Sequence, residues 1–291
     1  MLFGQIQAFI EVARTGNVSR AAEVLYVTQP ALTARIQALE KDLGEALFVR
    51  GPRGAALTAP GALFLPHAQR IAAEAEEARR RVREGGGKVR GRLVLGVLPT
   101  IAPYLLPGLL GSFLRKYREV EVVVQEEITA RLIEAVQAGG VDLALLSLPL
   151  PGTGLEREAI LEEPFLLVLP KAHPLARRKS VPMAALAEEK FILMQEGHCL
   201  AAQTLEVCHS RGDFSPNVLC RSAQVQTLLA LVRAGLGLSI VPRMAALPDC
   251  GLVYRPFPPR APSRTVGFVW KRQRDWPAPR AFREWARARV E

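Results

Sequence analysis

No stretch of this 291-residue chain reaches the roughly 18 consecutive apolar residues that a spanning helix needs, so a membrane partner is not expected. The start, Met1-Leu2-Phe3-Gly4-Gln5, lacks a basic segment followed by an apolar one, and no secretory signal is evident. The expected location is therefore the cytoplasm, where thiols stay reduced and a permanent structural disulfide is not anticipated. Cysteine and histidine are scarce, with four of each. There is no internal repeat and no low-complexity tail.

What is present is ordinary globular material, 49% hydrophobic and 23% charged, long enough for two or three domains. The net charge of +10 suits a polyanionic partner, because Lys and Arg neutralise phosphates in nucleic-acid binding. Charge does not locate that partner. Residues 1–90 carry 13 basic and 9 acidic side chains (+4), and the remaining 25 basic and 19 acidic give +6.

Half of the scarce cysteines and histidines are gathered between His198 and His209, in Gly197-His198-Cys199-Leu200 and Val207-Cys208-His209. A thiol reacts as thiolate, and a neighbouring imidazole or a helix N-terminus lowers its pKa. The segment thus offers an attacking thiol, a base and a second thiol, as in a redox switch where one cysteine traps the sulfenic acid of the other. If residues 199 to 208 are helical, nine steps of rise put the two Cα atoms roughly 13 Å apart, on opposite faces. A disulfide tolerates about 7 Å, so bridging them requires that helix to unwind. The four side chains are also zinc-type ligands, but the pairs are sequence-adjacent, unlike familiar zinc modules. No metal and no cofactor are implied. Cys220 and Cys250 have no flanking histidines and read as structural or incidental.

Residues 1–57 read as short helices. Ile6, Phe9, Ile10, Val12 and Ala13 have helical spacing. Asn17 or Ser19 can cap a second helix, and Thr28 a third that tolerates Pro30 in its first turn. Leu32, Ile36, Leu39 and Leu43 form the buried stripe of the third helix, with Gln29, Thr33 and Gln37 to one side, facing outward. Arg50-Gly51-Pro52-Arg53-Gly54 reads as a basic wing. Residues 58–84 form an alanine-rich helix whose apolar side (Leu63, Ala68, Ile71, Ala72, Ala75, Ala78, Val82) is too thin to bury alone, so pairing with a second chain is expected. Its run Arg79-Arg80-Arg81 with Arg83 reads as a solvated face paired with Glu74, Glu76 and Glu77 at i, i+3 or i+4. Gly85-Gly86-Gly87 ends it as a linker.

From residue 91 candidate strands at 93–97, 120–125, 143–146, 165–169, 191–194, 238–241 and 265–270 alternate with helices at 105–117, 130–138, 224–234 and 279–290. This pattern predicts an α/β domain with a mostly parallel sheet.

The segments Ser19-Arg20-Ala21-Ala22-Glu23-Val24-Leu25, Val27-Thr28-Gln29-Pro30-Ala31-Leu32-Thr33 and Ile36-Gln37-Ala38-Leu39-Glu40-Lys41-Asp42-Leu43-Gly44 resemble the LysR-type transcriptional regulators. Leu47-Phe48-Val49-Arg50 and Leu57-Thr58-Ala59-Pro60-Gly61 continue the resemblance, and the rest of the chain matches in order and length. The resemblance implies an all-α winged helix-turn-helix domain (1–57) and a linker and dimerisation helix with its hinge (58–90). A two-lobed α/β sensor like periplasmic binding proteins (91–291) follows. Two crossings between lobes put lobe one at 91–161 with 268–291, and lobe two at 162–267. The implied partners are double-stranded promoter DNA, a second copy in a homodimer or homotetramer, and RNA polymerase. DNA contacts fall to Gln29, Pro30, Thr33, Arg35, Arg50 and Arg53.

Within the family the sensor is most similar to the OxyR hydrogen-peroxide sensors, through Leu98-Pro99-Thr100-Ile101-Ala102-Pro103-Tyr104-Leu105-Leu106-Pro107, the Cys199 segment with Cys208, and Arg264-Thr265-Val266-Gly267. By position, Cys199 corresponds to the peroxide-reactive cysteine and Cys208 to its resolving partner. Thr100, Thr129, His198 and Arg264, with Asp142, correspond to the surrounding polar site. Relatives often carry charged residues soon after the Cys-Leu pair, where Ala201 and Ala202 stand here, and an arginine where Ala34 stands. Two other readings remain open. The same DNA module can answer to a small organic anion bound between the lobes. A thiol peroxidase would use the cysteine but leaves the first 90 residues without a role, so an enzyme is not expected.

Overall fold

The computed structural model describes residues 1–51, 54–84, 89–150, 152, 154–248 and 251–290. Arg53, the glycine run 85–87 and Cys250 lie outside the described residues, as do the side chains of Arg50, Arg80, Arg81 and Arg83. The chain divides into two compact units, residues 1–87 with 137–140, and residues 88–136 with 141–291.

The first unit opens with helices α1 (Phe3–Thr15), α2 (Val18–Val24) and α3 (Gln29–Leu43). Their ends follow capping chemistry. Gly16 and Gly44 close α1 and α3 in the left-handed conformation, the Asn17 side chain accepts the Arg20 N–H, and Thr28 accepts that of Ala31. Phe9, Val12, Leu32, Ile36 and Leu39 form the core between the helices. Leu43 does not continue that stripe. It lies one turn beyond the packed surface and is 39% exposed. Strands β1 (Phe48–Gly51) and β2 (Gly54–Leu57) pair antiparallel as the wing. Glu40 ties the wing to α3 by accepting the N–H groups of Leu47 and Phe48. Helix α4 (Ala59–Glu84) follows, with Ala68 buried and Leu63 and Ile71 exposed.

The second unit continues with β3 (Gly91–Val97), α5 (Ala102–Lys116), β4 (Val120–Glu126), α6 (Thr129–Ala138), β5 (Leu143–Leu148) and the 15-residue β6 (Glu156–Pro170). Next come β7 (Lys190–Met194), α7 (Cys199–Gly212), β8 (Asn217–Ser222), α8 (Val225–Arg233), β9 (Ser239–Pro242), β10 (Leu252–Arg255), β11 (Ser263–Trp270) and α9 (Pro277–Val290). β5 is apolar except at Ser147 and buried at five of its six positions, as a central strand should be. Gly96 on β3 has a packing reason, since a Cβ there would lie 2.7 Å from Leu132 of α6.

The sheet is mixed rather than mostly parallel. β4, β3 and β5 run parallel, whereas β11 pairs antiparallel with both β5 and β6, and β6 antiparallel with β9 and β10. The reason is that β6 and β11 carry the chain between two cores without an intervening crossover helix. One core holds Leu93, Leu95, Phe113, Leu145, Phe268 and Phe282, and the other Phe165, Leu167, Phe191, Leu193, Leu228 and Ile240. We call these lobes one and two. β11 and β6 pair along the whole of Ser263–Trp270, and that register sets Arg264 opposite Glu163.

Candidate functional site

Gly197, at φ +92°, turns the chain out of the loop after β7, and His198 caps α7 in an extended conformation. Cys199 is therefore the first residue of α7, where the helix N-terminus favours an anion. Although α7 belongs to lobe two, the half-buried Cys199 packs against the core of lobe one. Burial pushes its thiol pKa up. Arg264 is the largest opposing influence, joined by Thr129 and the backbone N–H groups of Leu200 and Cys199, and together they do not cancel the rise. Thr129 begins α6. Its hydroxyl stands near enough to favour the thiolate but is buried without a fully formed hydrogen bond.

His198, the base the sequence offers beside the thiol, lines the mouth of the site. Burial pushes the His198 pKa down, so at neutral pH the ring is uncharged. The positive charge comes from Arg264. Its Nε donates to Glu163 Oε2 at 2.8 Å, Nη1 to the Thr100 hydroxyl at 2.9 Å and Nη2 to the Thr100 carbonyl at 3.1 Å. The Arg264 and Glu163 side chains are 0% and 3% exposed, so the pair is fully withdrawn from water. Glu163 Oε1 accepts the Met244 N–H at 2.8 Å, and the Met244 sulfur lies 3.8 Å from Arg264 Nη2. Sequence reasoning did not single out Glu163 or Met244. The one local signal for Glu163 is an acid directly before the apolar run Pro164–Leu169.

Cys208 sits in the same helix and belongs to the core of lobe two, where burial pushes its thiol up to about 11. Cys199, Cys208 and Cys220 are free thiols. Cys220 is half-buried on β8, packed against lobe two, and His209 is exposed. Gln203, one turn beyond Cys199, donates from Nε2 to the Ser147 hydroxyl of β5 at 2.8 Å, which ties α7 to lobe one. Gln203 and Ser147 are further site neighbours that the sequence pattern does not reveal.

Asp142 does not join this cluster. It accepts from the Val94 N–H and from Arg274, at the end of β5 opposite the Leu148–Thr265 register. Its buried carboxylate is occupied within lobe one. Between the lobes lies a cleft of about 480 Å³ lined by Pro99, Tyr104, Glu126, Glu127, His198 and Gln226, among others. Its ionisable lining groups are two carboxylates, a phenol and an imidazole, with no lysine or arginine.

On the first unit, Gln29 and Pro30 are exposed at the start of α3, and the Gln29 side-chain Oε1 accepts from the Ser19 hydroxyl at 3.1 Å. Thr33 is half-buried beside Val12, Val18 and Phe48 rather than facing outward, and Arg35 is half-buried. Arg79 pairs with Glu76 at 2.8 Å, the i, i+3 contact expected of that helix face.

Residues 3–62 match the family model described as bacterial regulatory helix-turn-helix protein, lysR family, and residues 86–291 match the LysR substrate binding domain. The chain belongs to the LysR family. A probable hydrogen peroxide-inducible genes activator of Mycobacterium avium is 35% identical over 91% of this chain and 86% of its own length. The DNA-binding transcriptional dual regulator OxyR of Escherichia coli K12 is 30% identical over 91% and 88%. Full-length OxyR of Pseudomonas aeruginosa superposes with a TM-score of 0.79 at 26% identity, covering 100% of this chain and 97% of that one. A peroxide-bound variant of Corynebacterium glutamicum OxyR gives 0.65 at 28% identity, covering 99% and 92%. This LysR-family protein is thus a DNA-binding transcription regulator of the OxyR-like group, with a helix-turn-helix domain followed by a two-lobed α/β regulatory domain.

Proposed function

We propose that this regulator senses hydrogen peroxide through Cys199, with Cys208 as the resolving thiol. The thiolate attacks one peroxide oxygen, the O–O bond breaks, hydroxide leaves, and Cys199 becomes a sulfenic acid. Cys208 then attacks that sulfur. An S–S bond forms, the S–O bond breaks and water departs. Arg264 and Thr129 favour the thiolate, while the neutral His198 offers a hydrogen bond at the mouth of the site.

One observation carries this reading. The two thiols share an unbroken helix but pack into different lobes. Nine helical steps separate their Cα atoms by roughly 13 Å, so a bridge requires α7 to unwind and Cys199 to leave lobe one. Oxidation then changes how the lobes are held, and through a dimer of two-fold symmetry it alters the spacing of two DNA-reading helices. The exposed Leu63 and Ile71 of α4 suit contact with a second copy. Gln29, Pro30 and Arg50 suit promoter contact, in the cytoplasm, where reduced thiols are the resting state.

The test is to titrate peroxide and count free thiols by mass in wild type, Cys199→Ser and Cys208→Ser. Wild type should lose two thiols, Cys208→Ser should stop at a sulfenate, and Cys199→Ser should keep its thiols. Equal thiol loss in wild type and Cys199→Ser would rule out Cys199 as the primary site. An organic-anion effector is the weaker reading, because the carboxylates of Glu126 and Glu127 line the cleft that would receive it.

A further inference from the structure

Of the chain's four methionines, Met1 is the first residue, and Met183 and Met194 are 5% and 1% exposed in the core of lobe two. Met244 is different. It is half-buried and lines an open groove of about 450 Å³ together with Tyr104, Leu105, Leu109, Leu161 and Arg289. Gly108 also lines that groove, and a Cβ built there would meet nothing within 4 Å, so the groove is open at that wall. Met244 is also wired to the thiol site. Its N–H is held by Glu163, and its sulfur touches Arg264 Nη2 at 3.8 Å.

We propose that Met244 is a second oxidation site of this regulator, and that its sulfoxide draws Arg264 away from Cys199. The inference rests on the peroxide reading of Cys199 for its consequence, though not for its chemistry. The oxidant class is a hypohalous acid or a hydroperoxide entering by the groove. The thioether sulfur attacks the electrophilic oxygen. An S–O bond forms, the O–halogen or O–O bond breaks, and halide with a proton, or water (an alcohol from an organic hydroperoxide), departs. Sulfur is oxidised by two electrons and the oxidant reduced by two.

A thioether is a weak acceptor, whereas a sulfoxide is strongly polar. Formed beside Arg264 Nη2, the new oxygen competes with the Thr100 carbonyl and Glu163 for the guanidinium. The thiolate of Cys199 then loses part of its stabilising charge, and the peroxide response is damped until the sulfoxide is reduced. The buried Met183 and Met194 provide internal controls.

Two measurements test this. In Cys199→Ser protein treated briefly with hypochlorite, peptide mass mapping should find one added oxygen on Met244 before Met183 or Met194. Separately, Met244→Gln, which places a strong acceptor at the same position, should lose its Cys199 thiol to peroxide more slowly than Met244→Leu. A thiol pKa one unit higher leaves about tenfold less thiolate, which sets the scale of that difference. Oxidation of Met183 or Met194 as fast as Met244 overturns the site, and equal rates in the two variants overturn its effect. The mapping does not use Cys199, so a failure there is distinct from failure of the peroxide reading.

Discussion

Gln203 of lobe two donates a hydrogen bond to Ser147 of lobe one at 2.8 Å, one helical turn beyond Cys199. Under the proposed mechanism the bond lies across the path by which α7 opens, since residues 199 to 203 would leave lobe one before Cys199 reaches Cys208. A neutral hydrogen bond contributes about 0.5–1.5 kcal/mol net. Gln203→Ala should therefore speed disulfide formation from the sulfenate by roughly two- to tenfold. It should leave the first oxidation step nearly unchanged. Ser147→Ala should do the same, and the double variant should add little to either single change. Stopped-flow trapping of sulfenate against disulfide separates the two steps, and additive effects would remove the bond from the pathway.

Arg264 has two tasks, one structural and one chemical. Replacing it with glutamine leaves Glu163 buried without its partner, which costs about 3–5 kcal/mol when a buried pair is broken. It also removes the largest influence favouring the Cys199 thiolate. Arg264→Gln should lower the melting temperature and slow peroxide consumption by the thiol. Pairing it with Glu163→Gln should recover much of the stability but none of the rate, because no positive charge is restored. Recovery of the rate would assign Arg264 a purely structural role.

The two thiols also predict opposite-looking pH effects. Burial raises the Cys199 pKa, so its thiolate fraction grows throughout the neutral and mildly alkaline range. The rate of thiol loss to peroxide should rise with pH and show no plateau near neutrality. Cys208 is held protonated to about 11 in the folded state, whereas an unfolded thiol releases its proton near about 8.5. Between those values the unfolded chain binds fewer protons, so stability falls as pH rises and is unaffected below that window. Denaturant melts of wild type and Cys208→Ala across the window check the sign, with a flatter dependence expected in the variant.

The helices were legible because periodicity and caps are local. Thr28, Asn17, Pro30 and the glycines after α1 and α3 mark their ends within a few residues. β8 and β10 escaped notice. β8 sets Asn217, Leu219 and Arg221 on its exposed face in a two-stranded sheet, and β10 has only four residues. The exposed first half of β6 hid its 15-residue length. Cys199, Cys208, Thr100 and Arg264 could be named from sequence motifs. Glu163, Met244, Ser147 and Gln203 could not, because each matters through a partner more than 50 residues away. Asp142 was misplaced for the same reason, since its true partner, Arg274, is 132 residues away.

The alanines that follow Cys199 and Leu200 have a consequence of their own. Alanine is the best helix former, and a glycine in an exposed helix interior costs about 1 kcal/mol relative to it. Ala201 is buried and Ala202 exposed, and both favour the helical form of the turn that the proposed bridge would open. Ala202→Gly should make that opening about fivefold more populated and hasten bridging by a similar factor. Under the proposed mechanism, helix propensity across residues 200–207 would work as a timer. It would set how long a sulfenate survives before capture, and so how strong an oxidant pulse must be before the thiol is pushed on to the irreversible sulfinic acid.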